Sequence, residues 1–368
     1  MPAARLFPRM VAAAIALCLA SAANAHECAG HADDSQRLAC YDRSFGRAAQ
    51  PTAAAQPGNA PQPANAAQGL GAGAQQTAGT RAPMETSTPY RRAERPGAGT
   101  TLAQMWDLTG GDPRETFELR TYKPTYLLLA THTNRNNAQP ASQNAANVQV
   151  TPLPIEVTEA QFQFSFKSKV RERFLVDNGS LWMGYTQSSR WQVYNSSASR
   201  PFRETNYEPE AMFVLETQGE FLGWQSRMAG ISITHQSNGR ALPLSRSWNR
   251  VIAQWGLEKG DAMVLVRPWW RIPEKAGSDD NPRIQDYVGR GEVVFAQRFG
   301  QHVVSVQARH SLRTGNNARG SAKFEWSIPI SGYLKAHLSL FTGYGESMID
   351  FNHRQTVLGA GVSLVEWR

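Results

Sequence analysis

The feature that most constrains this chain is a period of two in its apolar residues, repeated from about Thr121 to the end. Leu334, Ala336, Leu338 and Leu340 alternate with Lys335, His337 and Ser339. Phe162, Phe164 and Phe166 alternate with Gln163, Ser165 and Lys167, and Leu358, Ala360, Val362 and Leu364 with Gly359, Gly361 and Ser363. A strand turns successive side chains to opposite faces, so this pattern predicts strands with one apolar and one polar face. About twelve such segments fall near 121–133, 160–170, 179–193, 206–217, 223–237, 247–257, 261–271, 284–297, 301–311, 320–329, 333–343 and 354–366. Beyond the N-terminal apolar run, no stretch reaches the ~18 consecutive apolar residues of a helical span, so helical spans are excluded.

A soluble sandwich would turn its apolar faces inward against each other. A membrane barrel turns them outward to lipid and fills its interior with polar groups, here Lys335, His337, Arg290 and Glu292. The even strand number and spanning-length segments favour an all-β fold, a 12-stranded antiparallel transmembrane β-barrel, closed because an open edge in lipid would leave backbone groups unpaired. With the N-terminus in the periplasm, the long connections at 134–159, 194–205, 238–246 and 272–283 fall on the outer side. Those between them, such as Gln218–Leu222 and Glu258–Gly260, are shorter.

The N-terminus carries Arg5 and Arg9, an apolar run from Met10 to Ala20, and Ala23-Asn24-Ala25, the pattern of a signal peptide over 1–25. Leu17 precedes Cys18 where a lipoprotein signal needs a small residue, so no lipid anchor is expected. Residues 26–105 read as an N-terminal extension, and the barrel is expected over 106–368. The extension holds a small Cys28–Cys40 segment, then an Ala/Pro/Gly/Gln-rich linker such as Gln50–Gln68, whose composition predicts disorder. In an oxidising periplasm Cys28 and Cys40 either pair or remain free thiols. Loss of Arg5 and Arg9 lowers the formal charge from +8 to +6. An exported protein meets no nucleic acid, so the basic balance suits an anionic lipid surface or plain solvation.

Chemistry concentrates in Ile231–Arg250. Ile231 and Ile233 mark one strand face as lipid-facing, and His235 and Ser237 share it. In the next strand Asn249 shares a face with Val251, Ala253, Trp255 and Leu257. A hairpin tip near Leu242 makes His235 and Asn249 cross-strand neighbours at the outer rim. Polar groups on a lipid face are costly without partners or a task. A histidine can take the proton of a serine hydroxyl, and an asparagine can hold the imidazole in one tautomer. The plainer reading is the polar end of two strands at the interface. Gln187 also lies on an apolar face, with Leu181, Met183, Tyr185 and Trp191, and there an amide would lack partners unless it met its counterpart in a second copy. Arg203, Glu204 and Glu208 are candidates for an interior polar network.

The stretches YTQSS (185–189), SRPFRETNYEPE (199–210), HQSNGRALPLSRSWNR (235–250), DDNP (279–282) and GYGESMIDFNH (343–353) together resemble the outer-membrane phospholipase A family, from about Tyr122 to the end. The resemblance implies a calcium-dependent phospholipase A1/A2 of the bacterial outer membrane, acting on phospholipids and lysophospholipids and activated as a homodimer. It implies Ser237 as nucleophile, His235 as general base and acid, Asn249 as the orienting residue and the Gly239 N–H as an oxyanion donor. It implies Ca2+ ligands at Ser245, the Arg240 carbonyl and the Ser199 carbonyl of the partner subunit, with Asp280 a further candidate and Gln187 a dimer contact. Leu242 stands where relatives can carry an acidic residue of a second calcium site, and Arg200 replaces a small residue beside Ser199. The C-terminal aromatic read by the barrel-assembly machinery, a partner in biogenesis, is penultimate, Trp367 before Arg368. The rivals are a non-enzymatic barrel, channel or adhesin, and a soluble secreted lipase.

Overall fold

The computed structural model describes residues 101–108 and 116–367, with Asp33, Gln36 and Cys40. The chain divides into two compact units, Met1–Pro89 and Tyr90–Arg368. In the first, Cys40 is disulfide-bonded. The expected signal peptide, Cys28 and the Ala/Pro/Gly/Gln-rich linker lie outside the described residues.

In the second unit twelve strands follow one another: β1 (Thr125–Thr133), β2 (Thr158–Glu172), β3 (Gly179–Trp191), β4 (Phe202–Glu216), β5 (Trp224–Ser237), β6 (Ser247–Lys259), β7 (Ala262–Ile272), β8 (Gly291–Phe299), β9 (His302–His310), β10 (Gly320–Ser331), β11 (Leu334–Tyr344) and β12 (Arg354–Val365). Each pairs antiparallel with its neighbours in sequence, and β12 pairs back to β1, so the sheet is a closed ring. Closure satisfies every strand edge within the ring, as a hydrocarbon surround requires. Short turns at 260–261, 300–301 and 332–333 each start on a glycine with φ between +55° and +62°, a conformation tight hairpin turns need. The connections at 134–157, 192–201, 238–246, 273–290, 311–319 and 345–353 gather at the opposite end.

The alternation resolves as expected for a barrel in lipid. On β11, Leu338 and Leu340 face outward while Lys335, His337 and Ser339 are buried inside. Interior charges pair across the lumen: Arg267 with Glu210 at 2.8 Å and Glu292 at 2.9 Å, Arg250 with Glu208 at 2.7 Å, and Lys323 with Glu325 at 2.6 Å. The network proposed for the 203–208 segment is present. Arg203 meets Glu159 at 2.7 Å and Asp350 at 2.8 Å, Glu208 also binds Lys123 at 3.0 Å, and Glu204 accepts from Asn238 at 3.0 Å.

Apolar plugs close both ends of this polar interior. At the end with the short turns, helix α1 (Thr101–Trp106) buries Leu102 and Trp106 among Trp182, Met212, Met228 and Leu265. Its Leu102 N–H donates to the Glu258 carboxylate, and Lys167 Nζ lies 3.4 Å from the Trp106 ring centroid. The expected boundary between residues 105 and 106 thus falls inside a helix that packs into the barrel. At the other end Trp248, Ile252, Trp269, Ile284, Val288, Met348 and Phe351 form a second cluster. That cluster explains the strand start that falls furthest from expectation. Residues 284–290, expected as the beginning of a strand, form a 3-10 turn over Ile284–Asp286, and β8 begins only at Gly291. Ile284 and Val288 are apolar because they plug the lumen, not because they alternate toward lipid.

Candidate active site

The β5–β6 hairpin sets the register that the site depends on. His235 pairs with Asn249, Gln236 with Trp248, and Ser237 with Ser247. Ile231 is 49% and Ile233 63% exposed, against 2% for Ser232 and 0% for Thr234, so the odd positions of β5 face outward. His235 and Ser237 continue that outward row to its rim. His235 Nδ1 lies 2.8 Å from Asn249 Oδ1. An amide oxygen only accepts, so Nδ1 carries the proton and Nε2 presents its lone pair. The Asn249 amide is itself fixed, its Nδ2 donating to Glu274 Oε1 at 3.4 Å. Burial pushes the Glu274 carboxyl above its ordinary range, and the negative charge of Asp279 adds to this.

Asn238 holds the adjoining turn. It is buried, donates to Glu204 at 3.0 Å and to the Leu244 carbonyl at 2.8 Å, and accepts from Arg246 N–H at 2.9 Å and Arg240 N–H at 3.3 Å. The turn passes through Gly239 at φ +60°, where a Cβ would sit 3.2 Å from the Tyr207 ring. The left-handed backbone favours glycine there, and a side chain would also press on the Tyr207 ring. Sequence reasoning named Ser237, His235, Asn249 and Gly239 but missed Asn238 and Glu274.

The proposed calcium ligands occupy three connections, Arg240 and Ser245 in 238–246, Asp280 in 273–290 and Ser199 in 192–201. Ser245 Oγ donates to Asp280 Oδ2 at 2.6 Å. Asn147, not anticipated, donates to the Ser245 carbonyl at 2.9 Å and to Asp280 Oδ1 at 3.2 Å. Its own Oδ1 is buried without a partner among the described residues. A hydroxyl, a carboxylate and amide oxygens are the hard donors that Ca2+ takes, so these residues fit such an ion. Among the described residues there is no cluster of three or more His, Cys, Asp and Glu, and the donors gathered here are hydroxyl and carbonyl oxygens beside the single Asp280 carboxylate. Arg240 and Leu242 are exposed in the same turn. Ser199 lies elsewhere, exposed in the 192–201 connection, with φ +55° at Ser199 and +53° at Arg200. Trp191 Nε1 donates to the Arg200 carbonyl at 2.9 Å and anchors that bend to the end of β3.

Gln187 does not lie unpartnered on its face. It accepts from the Tyr185 hydroxyl at 3.1 Å and donates to Ser189 Oγ at 3.4 Å. Residues two apart share a strand face, so its own strand meets part of the demand that the sequence reading assigned to a second copy.

Comparison with known proteins gives four findings. Residues 102–364 match the family model described as Phospholipase A1. A putative phospholipase A1 of Neisseria meningitidis serogroup B is 36% identical over 346 residues, covering 91% of this chain and 89% of the relative. Among solved structures, an active-site mutant of outer membrane phospholipase A from Escherichia coli, with alanine in place of an asparagine, aligns with a TM-score of 0.63 and 34% identity, over 73% of this chain and 98% of that one. The Salmonella typhi outer membrane phospholipase, a dimer with bound calcium, aligns with a TM-score of 0.62 and 34% identity over the same shares.

Proposed function

The chain belongs to the phospholipase A1 family of outer-membrane β-barrel enzymes, and from that premise we propose that Ser237 attacks acyl esters of phospholipids in the outer leaflet. The observation that carries this reading is the 2.8 Å bond from His235 to Asn249 on the outward face, two residues from Ser237.

With Nδ1 protonated, His235 Nε2 accepts the Ser237 hydroxyl proton as Oγ attacks the ester carbonyl carbon. The Gly239 N–H donates to the oxygen on which negative charge develops, and its fixed left-handed backbone needs no reorganisation at that moment. The imidazolium then gives its proton to the departing glycerol oxygen, and lysophospholipid leaves. Water, deprotonated by His235, releases the fatty acid from the acyl-serine. Lysophospholipids enter the same cycle. The site faces lipid because its substrate arrives by lateral diffusion and never passes the filled lumen.

Ser245, the Arg240 carbonyl and Ser199 of the partner subunit would hold calcium, with Asp280 beside Ser245, and the ion would supply positive charge for the oxyanion. A ligand drawn from a second copy leaves one chain's site incomplete, so homodimer formation and calcium would switch activity on together. Gln187, on the outward face of β3, is the polar group we assign to that contact.

Fatty-acid release from phospholipid–detergent micelles by the full-length protein tests this reading. Release is expected with calcium and is expected to stop on chelation with EDTA and return on recalcification. Asn249→Ala removes a hydrogen bond to a group that becomes charged, worth about 1.5–3 kcal/mol, so kcat should fall about 10- to 100-fold with KM little changed. A folded, calcium-loaded protein that releases no fatty acid would return the reading to a channel or adhesin.

A further inference from the structure

An amide that orients an imidazole has a weakness that a carboxylate lacks: its two ends differ. A half-turn of the Asn249 side chain would set N–H donors against the protonated Nδ1 of His235 and lose the bond. We propose that Glu274 prevents this, as a positioning residue that accepts a hydrogen bond from the Asn249 amide and holds its oxygen toward His235. The inference rests on the active-site reading above and extends it by one residue.

Register and contact both place Glu274 there. Asn249 on β6 pairs with Ile272 on β7. Trp270 is 60% and Ile272 38% exposed, so both lie on the outward face, and Glu274 follows two residues later with the same parity. Asn249 Nδ2 meets Glu274 Oε1 at 3.4 Å. The segment is not free to swing. Arg271 donates to Asp279 Oδ1 at 2.6 Å and to the Pro282 carbonyl at 2.8 Å, folding the connection back on its own strand. Ser247 N–H donates to Asn281 Oδ1 at 3.0 Å, which ties the same connection to β6 two residues from Asn249. Glu274 is half-buried, and its raised carboxyl pKa does not weaken the role, since a protonated acid keeps an acceptor oxygen.

The test is a double-mutant cycle on the full-length enzyme in phospholipid micelles with calcium, with far-UV circular dichroism to confirm that each variant is folded. Glu274→Ala should lower kcat about tenfold in the wild-type background, the effect of losing one orienting hydrogen bond, with KM within twofold. In an Asn249→Ala background the same change should cost less than about twofold, because the group it acts through is gone. Glu274→Gln, which keeps an acceptor oxygen, should stay within about threefold of wild type. Three results would overturn the inference: equal losses from Glu274→Ala in both backgrounds, no loss in the wild-type background, or a Glu274→Gln loss as large as that of alanine. A Ser237→Ala control separates the two levels. If that control is inactive, a failed cycle condemns Glu274 alone; if it retains activity, the active-site reading fails and takes the inference with it.

Discussion

Ser237→Ala should abolish phospholipid hydrolysis, by on the order of 10⁴-fold or more in kcat, while leaving the barrel folded. The size follows from the role. Without Oγ there is no acyl-enzyme, and the residual rate would come from water attacking an ester held near His235 and Gly239. The barrel should tolerate the change because Ser237 is only half-buried, on the outward side of β5, apart from the interior ion pairs. Its pairing with Ser247 and Tyr207 is made by backbone. Fatty-acid release and far-UV circular dichroism on the same samples check both halves of the statement. An organophosphonate directed at serine nucleophiles should label the wild-type protein and not the variant. Undiminished release from Ser237→Ala would place the chemistry elsewhere.

How much of this was legible beforehand differs by element. All twelve strands could be read because lipid on one side and a polar lumen on the other impose strict alternation, and a period of two survives in sequence wherever both faces are under constraint. The reading failed where apolar residues serve something other than a strand face. Ile284 and Val288 plug the outer mouth, and Leu102 and Trp106 the inner one, so neither carries a period. A helix of only Thr101–Trp106 is too short to show helical periodicity in any case. His235 and Asn249 were legible because a hairpin tip between them fixes their register. The same arithmetic about the 260–261 turn pairs Asn249 with Ile272, and two residues further along the outward face stands Glu274. That signal was present and simply lay on the other neighbour of β6. Asn147 had none, since it comes from the 134–157 connection, where no periodicity ties position to place.

Arg267 should carry the largest stability effect, and its direction separates fold from chemistry. Its guanidinium bridges Glu210 and Glu292 inside the barrel and donates to the Tyr122 hydroxyl at 3.1 Å; the Arg267 side chain is 4% exposed and that of Glu210 0%. Removing it leaves Glu292 with Arg309 at 3.3 Å and Glu210 with Lys123 no closer than 3.9 Å, in a space that cannot hydrate them fully, so Arg267→Met should destabilise the barrel by about 3–5 kcal/mol. Denaturant unfolding from detergent micelles, followed by tryptophan fluorescence, measures this. Removing a carboxylate in turn should give part back: Arg267→Met with Glu210→Gln is expected to be more stable than Arg267→Met alone, because a neutral amide can accept from one of the Tyr122 and Ser232 hydroxyls and donate to the oxygen of the other without needing a counter-charge. A cost below about 1 kcal/mol for Arg267→Met would mean that lumen water screens these pairs as it would at a surface. Well below its unfolding transition, the same variant should hydrolyse phospholipid at close to the wild-type rate, since β5 and β6 turn their catalytic side chains away from Arg267. A barrel of this kind can therefore lose an inward charge and keep its chemistry, or lose one outward hydroxyl and keep its fold.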